Sequence, residues 1–150
     1  MRIIIGVASA SKVNRDAGQR HVRGKFAILC LKLMNPAELS QEIIATYQRH
    51  GWTLKRVLLR PATRAELKQQ ANSIFDDARL INSEVDALWF ARPSHAGREA
   101  WELRMLAEQP YALFEAFAAD ETEEDREDAR REMENRMREY AAPSQARVIT

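Results

Sequence analysis

Cysteine is nearly missing from this chain: Cys30 is the only one in 150 residues. No intramolecular disulfide can form, and no thiolate cluster can hold zinc. Cys30 itself lies inside the apolar run FAILCLKL and reads as a small buried hydrophobe. No apolar stretch reaches the roughly 20 residues that a membrane helix needs. IIIGVASAS is too short and too weakly flanked to read as a signal peptide, so the cytoplasm is the expected compartment and a membrane is not. An excess of one charge sign is missing as well, because 23 Lys and Arg oppose 22 Asp and Glu for a net charge of +1. That balance gives no global attraction to nucleic acid or to a lipid surface. Glycine-rich phosphate loops are absent, and Gly6 stands alone. His21, His50 and His95 are scattered, without a thiol or second histidine beside them, so no metal and no cofactor is expected. Ser9 to Lys12 spells Ser-x-x-Lys, but in a polar stretch without helical period and without the accompanying motifs.

What is present fits one domain with a continuous core. Residues 1–25 read as a flexible basic leader, with an extra strand allowed over 2–8, because Arg2, Lys12, Arg15, Arg20, Arg23 and Lys25 face only Asp16. The α+β domain is placed at 26–142 and a loose tail at 143–150. FAILCLKL predicts a central strand. NPAELSQEIIATYQRHG predicts an amphipathic helix, with Asn35 as cap, Pro36 at the first position, and Leu39, Ile43, Ile44 and Tyr47 as its apolar stripe. WTLKRVLLR then returns as a strand, parallel to the first. Thr63 and Glu66 suggest a capping box for a second helix ending near Asp77, followed by an acidic connection through Asp76, Asp77, Glu84 and Asp86 that reads as a solvated loop. VDALWFARP, REAWELRML and YALFEAFA form an antiparallel meander. A long charged helix closes the domain, with i,i+4 pairs Glu127–Arg131, Glu132–Arg136 and Glu134–Arg138, and with Pro143 as its stop. The resulting architecture is a mixed sheet of about five strands, β-α-β-α-β-β-β-α, with helices on one face and the charged C-terminal helix at an edge or interface.

Candidate site residues come from the meander. A four-residue turn over 94–97, with Gly97 in the left-handed position, pairs Phe90 with Trp101 and Leu88 with Leu103. A second turn over 107–110 pairs Leu103 with Phe114. In that register Trp89, Glu102 and Glu115 share a row, with Arg104 two residues along. Glu102 and Glu115 are then a candidate acid/base pair, and Trp89 and Arg104 candidate ligand contacts. The plainer reading is an exposed ladder in which Arg104 bridges two glutamates. Arg92, His95 and Arg98 gather at the hairpin tip as candidate anion contacts. The narrow seam of Ala129, Met133, Met137 and Tyr140 suggests contact with the domain edge or an interface with a protein partner or a second copy.

These residues favour a small non-catalytic binding or regulatory protein, acting through the meander face and the charged last helix, with a small ligand as a further partner. The alternatives are an acid/base enzyme using Glu102 and Glu115, and a nucleic-acid binder using the basic arm, which the sparse charge of that arm disfavours.

Overall fold

Asn35 caps the first helix as its side chain suggests, its Oδ1 accepting from the Glu38 backbone N–H at 2.9 Å. In the computed structural model, which describes residues 5–7 and 34–146 with side chains over 34–142, this helix is α1 (Pro36–Arg49). Gly51, at φ +83°, turns the chain back into β2 (Thr53–Leu59). The strand expected at 26–33 lies outside the described residues, as does most of the leader.

The second helix differs from expectation. It is split into α2 (Pro61–Leu67) and α3 (Gln70–Phe75), because Lys68 adopts φ 52° and interrupts the helical hydrogen bonds. Arg60 holds the cap position, and Thr63 forms no capping box. Its hydroxyl donates instead to Asp86 at 2.6 Å, and Asp86 also accepts from the Arg60 backbone N–H at 2.7 Å. Part of the expected acidic loop is in fact β3 (Arg79–Asn82), which pairs parallel with β2. The parallel pair is therefore joined through α2 and α3.

The meander is β4 (Ala87–Pro93), β5 (Glu99–Met105) and β6 (Ala112–Phe117). Among the described residues the sheet has six strands in the order β1-β6-β5-β4-β2-β3, where β1 (Ile5–Val7) pairs antiparallel with β6 within the range allowed for an extra strand. A mixed sheet with flanking helices makes the chain an α+β domain.

Both hairpins carry one more loop residue than the sequence suggests. Ala96 joins Gly97 in the left-handed region, at φ 56° and 71°, so Pro93 and not Arg92 faces Glu99. In the second turn the Leu106 N–H is drawn to the Asp86 carbonyl at 2.9 Å, and Met105 takes over the bond to Tyr111. Each shift is one residue. Together they turn β5 over relative to its neighbours, since side chains alternate faces along a strand.

The sheet is covered on both faces, and β4 is accordingly buried from Ala87 to Ala91. Helices α1 to α3 cover one face through Ile43, Ile44, Leu67 and Phe75, which pack on Val57, Leu59, Leu88 and Phe90. On the other lies α4 (Glu123–Ala146), whose Ala129, Met133 and Met137 pack on Trp89, Trp101, Leu103, Leu113 and Phe117. Of the two readings of the seam, contact with the domain itself is the one seen here, and Met133 and Met137 are core at 0% exposure. Tyr140 is exposed and stacks on Tyr111 at 3.6 Å. Pro143 does not end α4, which is assigned through Ala146.

A bulge at Lys55 puts Leu54 and Arg56 on opposite faces of β2 and aims Arg56 at α4. Arg56 grips Glu127 with two bonds of 3.0 Å, and Glu127 also accepts from Arg130 at 2.8 Å. These guanidiniums hold the Glu127 carboxyl well below its ordinary range, at about 2. Glu127 is turned to Arg56 and Arg130, and Arg131 pairs with Asp128, whereas the expected pairs Glu132–Arg136 and Glu134–Arg138 are present.

Candidate functional site

The turned-over β5 decides what lies on each face. Glu102 falls in a row between Phe90 and Phe114 on the α1 side, and Arg104 lies beside Leu88 and Ala112. Ala100, Ala112 and Ala116 share this face and add little bulk. Between α1 and the meander a cleft of about 680 Å³ remains. Leu39 and Ile43 of α1, with Met34 and Pro110, supply its apolar wall. Tyr47, Trp52, Arg92, Glu102 and Arg104 supply aromatic and polar groups, with Glu42, His50 and Glu108 also on its lining.

Tyr47 is held in place by stacking on Phe90, with centroids 4.0 Å apart and planes within 9°. Its hydroxyl lies beside the Glu102 carboxyl. Burial raises the tyrosine pKa, and the neighbouring carboxylate raises it further. Burial also raises Glu102 above the ordinary carboxyl value, opposed by the Tyr47 hydroxyl and by the charges of Arg104 and Arg92. Arg104 is lowered by its own burial, opposed by Tyr47 and Glu102. One Arg104 N–H donates to the Met105 carbonyl at 2.6 Å, which fixes the guanidinium plane. At the other end Arg92 lies 4.5 Å over the Trp52 ring and donates to the His50 carbonyl at 3.2 Å. The stack and the bond position a cation at the cleft mouth.

The candidate residues from the sequence are redistributed. Glu102 and Glu115 do not form a pair: Glu115 sits opposite Trp101 on the α4 face and is buried at 1% exposure. Trp89 is also on that face, wholly buried, and its indole N–H donates to Glu134 at 3.0 Å. It cannot serve as a ligand platform. Arg92 has turned to α1, while His95 and Arg98 stay exposed on the hairpin turn. Of the candidates, Arg92, Glu102 and Arg104 come together in the cleft.

Sequence reading missed Tyr47 and Trp52 as site residues. Tyr47 counted as one more apolar position of α1, though a phenol on such a stripe signals a polar partner on the facing strand. Among the described residues no group of three His, Cys, Asp or Glu side chains could hold a metal ion, and no helix is long and apolar enough to cross a membrane. No family model, no curated protein and no solved structure matches this chain.

Proposed function

We propose that the protein binds a small molecule in the cleft between α1 and the meander. One observation carries this reading: half-buried Tyr47, Glu102 and Arg104 meet in a cleft of about 680 Å³ that also has an apolar wall. Ligand sites combine such walls with a few converging polar groups, and volumes of about 300–1,000 Å³ are typical. The outer side of α4 offers less, because its apolar seam faces inward and its exposed charges are largely paired along the helix. Self-association through Met133 and Met137 is not part of the proposal.

Backbone amide NMR with a mixed library of small organic acids, amines and neutral aromatics tests the reading. Binding should perturb Tyr47, Trp52, Glu102 and Arg104 together. If hits clustered elsewhere, or no compound bound, the cleft would not be the working surface.

A second reading, acid/base catalysis, is favoured by the raised carboxyl of Glu102 beside Tyr47. It would use Glu102 without Glu115. Turnover of a bound compound that vanishes in Glu102→Gln, with binding kept, would favour it over simple binding.

A further inference from the structure

The charges of the cleft restrict what it can hold. Glu102 lies between aromatic neighbours in its row, Arg104 is two residues along the same strand, and Arg92 reaches in from β4. Two guanidiniums against one carboxyl leave this group with a single net positive charge when Glu102 is ionised. Glu42 from α1 and Glu108 from the β5–β6 turn are exposed and line the same cleft. Leu39, Ile43 and Pro110 lie on its lining as apolar surface.

We propose that the ligand is an amphipathic monocarboxylate: one carboxylate held by Arg104 and the Tyr47–Glu102 pair, and an aliphatic or aromatic body against the α1 wall. This inference rests on the cleft being the binding site. A planar carboxylate matches the guanidinium fork of Arg104, which keeps N–H donors beyond the one given to Met105. A monocarboxylate cancels the single positive charge of the Arg92, Glu102 and Arg104 group, whereas a phosphate dianion exceeds it. An organic cation would face Arg92 and Arg104 directly.

The carboxylate should bind together with a proton. Burial already disfavours the ionised form of Glu102, and an incoming anion adds a like charge beside it. The groups facing Glu102 are Tyr47 from α1, Arg92 from β4 and Arg104 from its own strand, with Phe114 beside it on β6. His50, Glu42 and Glu108 lie on the same lining. Protonated Glu102 can donate its O–H to the ligand, so affinity should rise as pH falls.

Calorimetric titration of the full chain with 2-naphthoate and decanoate tests this, with 2-naphthylmethylamine and 2-naphthyl phosphate as comparisons. The carboxylates should bind at least about tenfold tighter than either comparison, and their affinity should rise as pH is lowered. Arg104→Gln should weaken them at least about tenfold. Glu102→Gln should abolish the pH dependence of the affinity. Thr46→Trp, which adds bulk at the partly exposed wall, should block binding while leaving the melting transition in place. Preference for the amine or the phosphate overturns the ligand class and leaves the cleft reading standing. So does carboxylate affinity that is indifferent to Arg104→Gln in a folded variant. If none of the probes bound, the ligand class would fall, and failure of the wider library as well would remove the cleft reading.

Discussion

A carboxyl placed between Phe90 and Phe114 opposes folding when it ionises, and Glu102 shows this in its raised pKa. Because the folded state binds this proton more tightly than the unfolded chain, stability should fall as pH rises from the ordinary carboxyl range through the raised value. Glu102→Gln keeps the shape and removes the charge. Its melting temperature is expected to exceed that of the parent near neutral pH and to converge with it below about pH 4, where both chains carry a neutral side chain. Equal melting curves at neutral pH would show that Arg104 and Arg92 fully offset the burial. Backbone strain gives a second residue-scale test. Lys68 and Asp76 bracket α3 with φ of 52° and 44° and ψ of -129° and -116°, a region that a side chain disfavours. Replacing either by glycine should stabilise by about 1 kcal/mol in chemical denaturation, as relief of strain outweighs the greater freedom of the unfolded chain.

At the scale of elements, α4 is a helix whose local signals misrepresent its role. The segment reads as a charged, ion-paired helix with one narrow apolar seam, yet Arg130, outside that seam, is buried at 2% exposure, 4.0 Å over the Trp101 ring, with Glu123 and Glu127 as partners. Its Nη1 accounts for both ion pairs, at 2.7 and 2.8 Å. Arg130→Ala is expected to cost about 1–3 kcal/mol, mainly through lost packing of the buried side chain on Trp101, since its partners Glu123 and Glu127 are exposed, whereas Arg131→Ala on the exposed side should stay within about 0.5 kcal/mol. Met133→Ala should cost about 2–5 kcal/mol through the cavity it opens against the sheet. Urea denaturation measures all three. Similar values for Arg130 and Arg131 would mean that the buried guanidinium contributes no more than a surface one.

For the molecule as a whole, the sheet depends on cover from both sides. Deleting residues from 123 onward would uncover Trp89, Trp101, Leu103, Leu113 and Phe117 at once. An apolar area of this kind in water opposes the folded state and invites association. The shortened chain is expected to lose its cooperative melting transition and to bind an apolar dye strongly. A sharp transition without dye binding would show that α1 to α3 suffice to hold the sheet. The two faces also separate roles: the α4 face is core, and the α1 face combines core with the cleft.

Local physics determined much of this protein from the sequence alone. The Asn35 cap, Pro36 and the apolar stripe define α1, and alternating apolar runs define β4, β5 and β6, because caps and periodicity act within a few residues. Arg92, Glu102 and Arg104 stood out as polar residues on those strands. Tertiary structure decided the rest. A left-handed Ala96 and a Leu106 N–H captured by Asp86 shifted two hairpins by one residue each. Those shifts separated Glu102 from Glu115 and brought Glu102 to Tyr47. The unexpected β3 pairs with β2 through the α2–α3 crossover, a contact that no local pattern in RLIN announces. The narrow seam of α4 likewise looks the same in sequence whether it meets solvent, a partner or the sheet. Only the uncovered face of the meander, filled by Trp89 and Trp101, made it core.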